Sequence, residues 1–264
     1  MTFSELTLTA LEAAHLAGRY LQESFGSSHT ISTKEGKQNL VTECDLKSEK
    51  IILSFIRKKF PTHGFLSEEQ GKENLSAKVL WVIDPLDGTV NFSNDVPHFA
   101  ISIAACQGTE ILLGVILNPL TQELFVAEKG KGAFCNNKPI KVSQVNNLDL
   151  ALLASGFPYN VDENPNQCIE IFNYFLRQGS PIRRFGAASL DLAYVAAGRF
   201  DAYFETGLSP WDVAAGILLI KEAGGSISTW EGKEHPLLEK SDILASNTLL
   251  HPIMIDALRK GKTL

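Results

Sequence analysis

The segment of this chain best suited to chemistry is WVIDPLDGTVNF, which covers residues 81–92. Its apolar beginning predicts a buried strand that ends at Asp84, and a second acid, Asp87, follows three residues later. A buried carboxylate is costly unless something pairs with it, and two neighbouring carboxylates repel each other. A divalent cation resolves both difficulties, because Mg²⁺ prefers oxygen ligands. The segment therefore predicts a metal site.

The residues after these acids predict an anion site beside the metal. Gly88 allows the backbone to approach a ligand closely, and Thr89 is suited to the start of a short helix. The free amides at a helix N-terminus face anions, and phosphate is a common one. Carboxylates for a metal beside amides for phosphate predict a phosphoryl-transfer site.

Three further acids stand where side chains converge on a cleft. Asp45 begins a predicted helix, Glu68 ends a short predicted strand, and Asp212 begins a strongly apolar helix. Taken singly, an Asp at a helix start is usually an N-cap, and a Glu before a turn is usually solvated. Together with the two aspartates of the central segment, the three acids extend the predicted metal site, and two or more ions there could clamp a water and a leaving oxygen.

Composition restricts the class of protein. The chain has 264 residues, 44% of them hydrophobic and 20% charged, which is ordinary for a soluble enzyme. A net charge of −6 with no basic stripe argues against nucleic acid as the main partner. Four scattered cysteines without CxxC spacing predict reduced thiols in a cytoplasmic protein. The N-terminal residues carry acids and no long apolar run, so we expect neither a signal peptide nor a membrane anchor.

Hydrophobic periodicity predicts both helices and strands in the first half of the chain. Residues 4–25 and 45–60 predict helices, and residues 99–142 predict an antiparallel meander. Residues 30–42 are polar and interrupted by glycine, which indicates a hairpin or a mobile loop. The apolar residues expected on the buried face of the first helix are Leu8, Leu11, Ala14, Leu16 and Leu21.

The pattern changes near residue 145, after which strands and helices alternate. We therefore expect an α+β protein with two halves packed as one compact unit. Residues 1–145 would form an N-terminal half with the antiparallel sheet and the metal site. Residues 146–264 would form a C-terminal half with a mixed sheet.

One other phosphatase family must be weighed, because haloacid-dehalogenase-like enzymes also place acids after a strand. Their motif is DxDGT, in which the first Asp is the nucleophile and the second acid follows two residues later. In this chain the acids are spaced D-x-x-D, and Pro85 restricts the backbone between them. The spacing counts against that family.

The complete pattern resembles the inositol monophosphatase family of Mg²⁺-dependent, lithium-sensitive phosphomonoesterases. The motifs of that family are an upstream Asp, an EE pair, DP[IL]D[GS]T, and WD followed by eleven residues and GG. The chain has every element in order: Asp45, Glu68-Glu69, DPLDGT at residues 84–89, Trp211-Asp212, residues 213–223, and Gly224-Gly225. The resemblance covers the whole chain, and it implies a layered αβαβα sandwich of the sugar-phosphatase type.

The resemblance implies two or three Mg²⁺ ions per active site. Glu68, Asp84 and the backbone carbonyl of Leu86 would hold the first ion. Asp84, Asp87 and Asp212 would hold the second, and Glu68 would reach a third, weaker ion through water. The residues agree with this, since all the ligands are oxygens.

The resemblance also implies how water attacks. Asp45 and Thr89 would orient and deprotonate a water near Glu68, and the phosphoryl group would pass directly to that water without a covalent intermediate. The amides of Gly88 and Thr89, beside Asp87, would face the phosphate.

The contacts to the leaving alcohol follow from the same resemblance. Glu205 matches the family's hydroxyl-binding Glu, and the backbone of residues 186–188 (Gly186, Ala187, Ala188) matches its inositol-facing segment. Arg183 and Arg184 are predicted to face either the substrate or a subunit interface, and Lys34 either folds over the metal site or is solvated.

Substrate identity is predicted less sharply than chemistry. Relatives that act on 3′-phosphoadenosine phosphates or histidinol phosphate resemble DGT-Lys, whereas this chain continues with Val90-Asn91-Phe92, the form similar to inositol monophosphatase proper. We expect a small phosphorylated polyol or sugar, with myo-inositol monophosphate first, and a homodimer. Fructose-1,6-bisphosphatase or broad sugar-phosphate activity is one alternative. A regulatory role that binds RNA or protein on the same fold is another.

Overall fold

The computed structural model describes residues 3–33 and 40–263, and its helices begin where the side chains favour it. The Ser4 hydroxyl accepts a hydrogen bond from the Thr7 amide at the first helix, and Thr42 caps the second. The helices are α1 (Glu5–Ser24), α2 (Glu43–Lys59), α3 (Thr89–Ser93), α4 (Cys168–Arg177), α5 (Ala188–Ala196), α6 (Pro210–Glu222) and α7 (His251–Gly261).

The strands form two large sheets and one small one. The strands are β1 (Ile31–Thr33), β2 (Leu40–Thr42), β3 (Gly64–Ser67), β4 (Gly71–Glu73), β5 (Leu80–Asp87), β6 (Ala100–Gln107), β7 (Glu110–Asn118), β8 (Glu123–Glu128), β9 (Ala133–Cys135), β10 (Lys138–Pro139), β11 (Leu153–Ser155), β12 (Ile182–Arg183), β13 (Ala202–Leu208), β14 (Gly225–Ser228) and β15 (Ser241–Asn247).

The first large sheet is mostly antiparallel and the second is mixed. The first large sheet has eight strands in the order β10-β9-β8-β7-β6-β5-β3-β4, and only its β3–β5 pair is parallel. The second has five strands in the order β12-β11-β13-β15-β14, with β11 parallel to both of its neighbours. Strands β1 and β2 pair antiparallel, which agrees with the hairpin alternative for residues 30–42. Residues 34–39, among them Lys34, lie outside the described residues.

The helices and sheets form five layers, which pack around three apolar cores. Helices α1 and α2 cover one face of the eight-stranded sheet, and α5 and α6 fill the space between the two sheets. Helices α4 and α7 cover the far face of the five-stranded sheet. The layered αβαβα arrangement is therefore confirmed. The division of the chain at residue 145 stays a prediction.

The buried face of α1 differs from the one expected. Leu8 and Leu16 are 52% and 38% exposed, whereas the buried face consists of Thr7, Thr9, Ala10, Ala13, Ala14, Ala17, Gly18 and Leu21. The reason is close packing, because a Cβ added at Gly18 would lie 2.9 Å from the Leu117 side chain of β7. A helix this near to a sheet needs small side chains at the contact.

Two further expectations concern the cysteines and the membrane. All four cysteines are free thiols, as predicted. No helix in the described part of the chain is both long and apolar enough to cross a bilayer.

Candidate active site

Asp84 and Asp87 of strand β5 lie on the same face of the sheet. Asp84 pairs with Ser102 and Asp87 with Ala100, so three steps along β5 match two steps along β6. The extra residue is a β-bulge, which shifts the alternation of side chains at that point. Asp84 and Asp87 therefore lie on one face, although their spacing would place them on opposite faces of a regular strand.

Helix α6 brings Asp212 to this same face. The Ser102 hydroxyl, next to Asp84, donates a hydrogen bond to the Trp211 carbonyl over 3.2 Å. The helix can lie this close because Gly114 has no side chain: a Cβ there would be 2.6 Å from the Ala215 carbonyl oxygen. Asp212 also forms a capping box, since its Oδ2 accepts from the Ser209 amide over 2.7 Å. Asp212 is thus both the N3 residue of the capping box of α6 and an acid that lines the cleft.

Asp45 has the same double role at the start of α2. One of its carboxylate oxygens accepts hydrogen bonds from the amide and hydroxyl of Thr42, over 2.8 Å and 2.6 Å. The other, Oδ1, lies 2.8 Å from the Thr89 hydroxyl. Burial raises the pKa of Asp45, and these hydrogen bonds oppose the rise. Asp45 is therefore not the N-cap expected from the sequence but the N3 residue of a capping box whose N-cap is Thr42, and its second oxygen remains directed to Thr89.

The Thr89 hydroxyl has two acceptors and one proton. It lies 2.8 Å from Asp45 Oδ1 and 3.0 Å from the Leu86 carbonyl oxygen. When the proton goes to Asp45, the Leu86 oxygen is free to bind a cation, and a lone pair of Thr89 is free to accept from a water.

The position of Glu68 follows from the parallel β3–β5 pair. Ser67 is in register with Ile83, and the Glu68 amide donates to the Ile83 carbonyl over 3.2 Å. Glu49 of α2 holds the turn that follows, because its carboxylate accepts from the amides of Glu69 and Gln70. Glu68 is thus the first residue after β3 and lies level with Asp84 of the neighbouring strand β5.

Ser189 is a site residue that sequence reasoning missed. Its amide donates to Asp87 Oδ2 over 2.7 Å, and its hydroxyl makes a second, short hydrogen bond to the same oxygen. These bonds leave Asp87 Oδ1 available for a ligand. The only sequence signal was the small-residue segment GAAS at residues 186–189.

Glu205 is held by a second residue that the sequence did not indicate. The Tyr203 hydroxyl donates a short hydrogen bond to Glu205 Oε2. Strand β13 has a bulge after Glu205, since Glu205 pairs with Ile243 but Leu208 pairs with Ser241. The carboxyl of Glu205 occupies the space that a side chain at position 156 would need, so Gly156 is required beside it.

The site residues surround one cleft of about 760 Å³. Ten of the residues predicted from the sequence line it: Glu68, Asp84, Leu86, Asp87, Gly88, Thr89, Gly186, Ala188, Glu205 and Asp212. Two do not. Asp45 lies behind Thr89, and Ala187 is 1% exposed and packs against Gly88. The assignment of the Ala187 backbone to the substrate stays a prediction.

The two arginines separate at this cleft. Arg184 lines the cleft, whereas Arg183 lies on the edge strand β12 and donates to its neighbour's carbonyl. Asn91 supports the wall beside Arg184, because its side-chain amide donates to the carbonyls of His98 and Phe185 over 2.7 Å and 2.8 Å.

The carboxyl groups of the cleft raise one another's pKa values. Burial raises the pKa of Asp84 well above its ordinary value, and Glu68, Asp87 and Asp212 raise it further. Burial raises the pKa of Asp212, and Glu68, Asp87 and Glu205 raise it further; burial raises the pKa of Asp87 to about 6. The pKa of Glu205 is raised to about 7, chiefly by burial. Concentrated negative charge of this kind is stabilised by cations.

The donor set fits Mg²⁺. Within the described residues no three acidic, histidine or cysteine side chains already surround one point closely enough to hold an ion. Mg²⁺ does not require such a cage, since it takes one or two carboxylates and completes its shell with water and substrate oxygens. Three carboxylates on one face and the Leu86 carbonyl oxygen meet that need, and the described residues form no salt bridge to Asp84, Asp87 or Asp212.

The raised pKa values predict how pH affects the stability of the metal-free protein. In the folded state Asp87 and Glu205 stay protonated to about pH 6 and about pH 7, whereas in the unfolded chain they lose the proton near pH 4. The folded state therefore binds more protons in this window, and stability falls as pH rises through it. We expect the melting temperature in EDTA to fall between about pH 5 and about pH 8.

Added Mg²⁺ should reverse this trend, because it binds the deprotonated carboxylates. Thermal unfolding with EDTA and with Mg²⁺ at several pH values measures both effects. A melting temperature in EDTA that rises across the window, or a Mg²⁺ effect that is largest at acid pH, would contradict the electrostatics of the cleft.

Both the sequence and the fold of the chain match known proteins. The model of the inositol monophosphatase family matches residues 3–263. The chain belongs to the inositol monophosphatase family. An inositol-1-monophosphatase of Caulobacter vibrioides is 44% identical over 253 residues, which cover 94% of this chain and 99% of that one. Nus factor SuhB of Pseudomonas aeruginosa is 46% identical over 245 residues, 90% of each chain. The chain is accordingly a phosphatase, a phosphoric monoester hydrolase.

Solved structures of the family have the same architecture. Extragenic suppressor protein suhB from Bartonella henselae matches with a TM-score of 0.91 at 39% identity, over 98% of this chain and all of that one. SaIMPase-II bound to inositol monophosphate matches with a TM-score of 0.82 at 29% identity, over 98% and 96% of the two chains. An IMPase/NADP phosphatase complexed with Mg²⁺ and phosphate matches with a TM-score of 0.81 at 26% identity, over 96% and 93%.

Proposed function

We propose that the protein hydrolyses the phosphate monoester of a small polyol, with myo-inositol monophosphate as the expected substrate, and that it requires Mg²⁺. The observation that carries this proposal is the single face shared by Asp84, Asp87 and Asp212, beside the Asp45–Thr89 pair. The inositol monophosphate and the Mg²⁺ and phosphate in two solved relatives support it.

The residues assigned to the metal are acids and a carbonyl that line the cleft. Glu68, Asp84 and the Leu86 carbonyl would hold one ion, and Asp84, Asp87 and Asp212 would hold a second. When bound, Mg²⁺ lowers the pKa of a water and neutralises charge on the phosphoryl oxygens. Two or three ions per site remain part of the proposal.

The chain's own residues prepare the attacking water. A water that donates a hydrogen bond to Thr89 Oγ1 passes a proton to that oxygen. The hydroxyl proton of Thr89 moves at the same time to Asp45 Oδ1, which lies 2.8 Å from Thr89 Oγ1. Asp45 is suited to accept the proton, because burial raises its pKa. The amides of Gly88 and Thr89 orient the phosphate, so that the water attacks in line with the leaving oxygen.

Glu205 is assigned to the leaving alcohol. Its carboxyl lines the cleft, is fixed by Tyr203, and has a pKa of about 7, so near neutral pH it can accept from or donate to a substrate hydroxyl. Hydrogen bonds to hydroxyls discriminate among polyols better than apolar contacts do. A homodimer, a cytoplasmic location and lithium sensitivity are proposed on the family resemblance.

Phosphate release from a substrate panel tests the proposal. The panel contains inositol 1-phosphate, fructose 1,6-bisphosphate, histidinol phosphate and 3′-phosphoadenosine 5′-phosphate, each with Mg²⁺, with EDTA, and with Mg²⁺ plus Li⁺. We expect the highest kcat/KM on inositol 1-phosphate, loss of turnover in EDTA, and inhibition by Li⁺. The absence of turnover on every member with Mg²⁺ would overturn the catalytic assignment, and preference for another member would overturn the substrate.

A further inference from the structure

The cleft has one wall that the chemistry above does not use. Opposite the carboxylates, the chain between β11 and the end of α4 contributes apolar side chains to the lining: Phe157, Pro158, Tyr159, Val161, Ile169, Phe172 and Leu176. We call these residues the apolar wall. Tyr159, Ile169 and Leu176 are 51%, 46% and 53% exposed, so residues 3–33 and 40–263 leave these side chains of the wall open.

The apolar wall begins beside Glu205. Strands β11 and β13 are parallel neighbours with Ser155 in register with Phe204, so the next residues, Gly156 and Glu205, lie side by side. The chain leaves β11 at this point, and Tyr159 follows Gly156 by three residues. The aromatic ring is therefore tied to the strand end that presents the alcohol-binding carboxyl.

A tight turn holds Tyr159 in place. The Val161 amide donates to the Pro158 carbonyl over 3.0 Å, so Tyr159 stands at the corner of the turn. Pro158 rests on β13, because a Cβ added at Gly207 would lie 3.1 Å from the Pro158 Cβ. Proline also fixes its own φ angle, which reduces the freedom of the turn.

Tyr159 lines the same cleft as Glu68, Asp84, Asp87 and Asp212. The pKa of its hydroxyl is raised first by burial and then by those four carboxyl groups, which agrees with their lying in one cleft. The residue is 51% exposed. Its ring is thus an exposed part of the cleft lining that a ligand in the cleft can contact.

A cyclic polyol phosphate matches this arrangement on both sides. Its phosphate and hydroxyl rim are polar, whereas the C–H bonds of its ring form a flat apolar face. Aromatic side chains pack well against such faces because they offer area with little conformational entropy to lose. An acyclic polyol phosphate has the same phosphate chemistry and no flat face.

We propose that Tyr159 is a specificity-determining residue that packs its ring on the C–H face of a cyclic polyol and so selects cyclic over acyclic phosphate monoesters. This inference rests on the proposed function, since it assigns the second wall of the same site. It requires the ring of Tyr159 and does not require the hydroxyl.

Steady-state kinetics with Mg²⁺ on inositol 1-phosphate and on glycerol 2-phosphate tests it in three forms of the protein. In Tyr159→Ala we expect KM for inositol 1-phosphate to rise about tenfold while KM for glycerol 2-phosphate stays within about twofold. In Tyr159→Phe, which keeps the ring, we expect both KM values within about twofold of the parent. Because Tyr159 is half exposed, the melting temperature should change little.

Each other outcome contradicts the inference. Equal loss on both substrates in Tyr159→Ala would mean that the residue acts on the metal centre, and unchanged KM values would mean that the ring does not reach the substrate. A loss in Tyr159→Phe equal to that in Tyr159→Ala would assign the effect to the hydroxyl. If the parent protein turns over neither substrate, the proposed function fails; if it turns over both and the Ala variant discriminates as before, only this inference fails.

Discussion

Asp212→Asn is expected to lower kcat at least about a thousandfold while leaving the fold intact. The amide oxygen of Asn can still accept the hydrogen bond from the Ser209 amide that starts α6. Its NH₂ group then faces the cleft, where it offers a donor at a position that needs an acceptor for a cation. Asp87→Asn should behave in the same way, because its oxygen can keep the bonds from Ser189.

The measurement is kcat at saturating Mg²⁺ together with circular dichroism and a melting curve. Asp256→Asn is the matched control, since Asp256 is exposed on α7 and pairs only with Lys260 among the described residues; its kcat should match that of the parent. In EDTA near pH 8, Asp212→Asn should melt at a higher temperature than the parent, because one of the mutually repelling carboxylates is gone. Near-parental activity in either cleft variant would refute the ligand assignment.

Thr89→Val is expected to lower kcat about a hundredfold or more. Valine has nearly the shape of threonine, and Thr89 is only 7% exposed, so the substitution removes the hydroxyl with little change in packing. Without that hydroxyl, the attacking water loses its contact and Asp45 Oδ1 loses a hydrogen-bond donor. KM should change far less than kcat, since the proposed phosphate contacts are backbone amides.

Thr89→Ser is the control for this substitution, because it retains Oγ and should keep most of the activity. The unpartnered Asp45 oxygen in the Val variant should also cost about 1–3 kcal/mol of stability, which a melting curve detects. A Val variant that keeps more than about a third of the parental kcat would exclude Thr89 from proton transfer.

The acids of the site could be predicted from sequence because each stands at the end of a regular element. Asp84 and Asp87 follow an apolar run, and Asp45 and Asp212 begin helices, so the local pattern singled out these four acids. The resemblance to the inositol monophosphatase family then assigned them to one site. Glu68 was located by the strand that precedes it. Local signals of this kind need no knowledge of which elements are neighbours.

The residues that hold the acids could not be predicted in this way. Ser189 is 102 positions from Asp87, and nothing in the spacing of a hydroxyl and a carboxylate reveals such a pair. Tyr203 is close to Glu205 in sequence, but an alternating strand pattern does not tell which hydroxyl is buried. Tyr159 lies in an irregular segment, where periodicity carries no signal.

The first helix illustrates a different limit. Hydrophobicity favoured its leucines as the buried face, yet Leu8 and Leu16 are exposed and alanines face the sheet. How closely two elements approach depends on both partners, and only the fold reveals that β7 requires small residues opposite it.

The bulges in β5 and β13 change which face of the sheet the following side chains occupy. Upstream of each bulge, side chains alternate between the two faces of the sheet and pack into the core on each face. The effect of a substitution there is therefore determined by packing. The extra residue resets that count between Asp84 and Asp87 in β5 and directly after Glu205 in β13. Asp84 and Glu205 therefore keep the parity of the core positions that precede them, whereas Asp87 reaches the face of Asp84 only because of the bulge. The D-x-x-D spacing records this reset in the sequence.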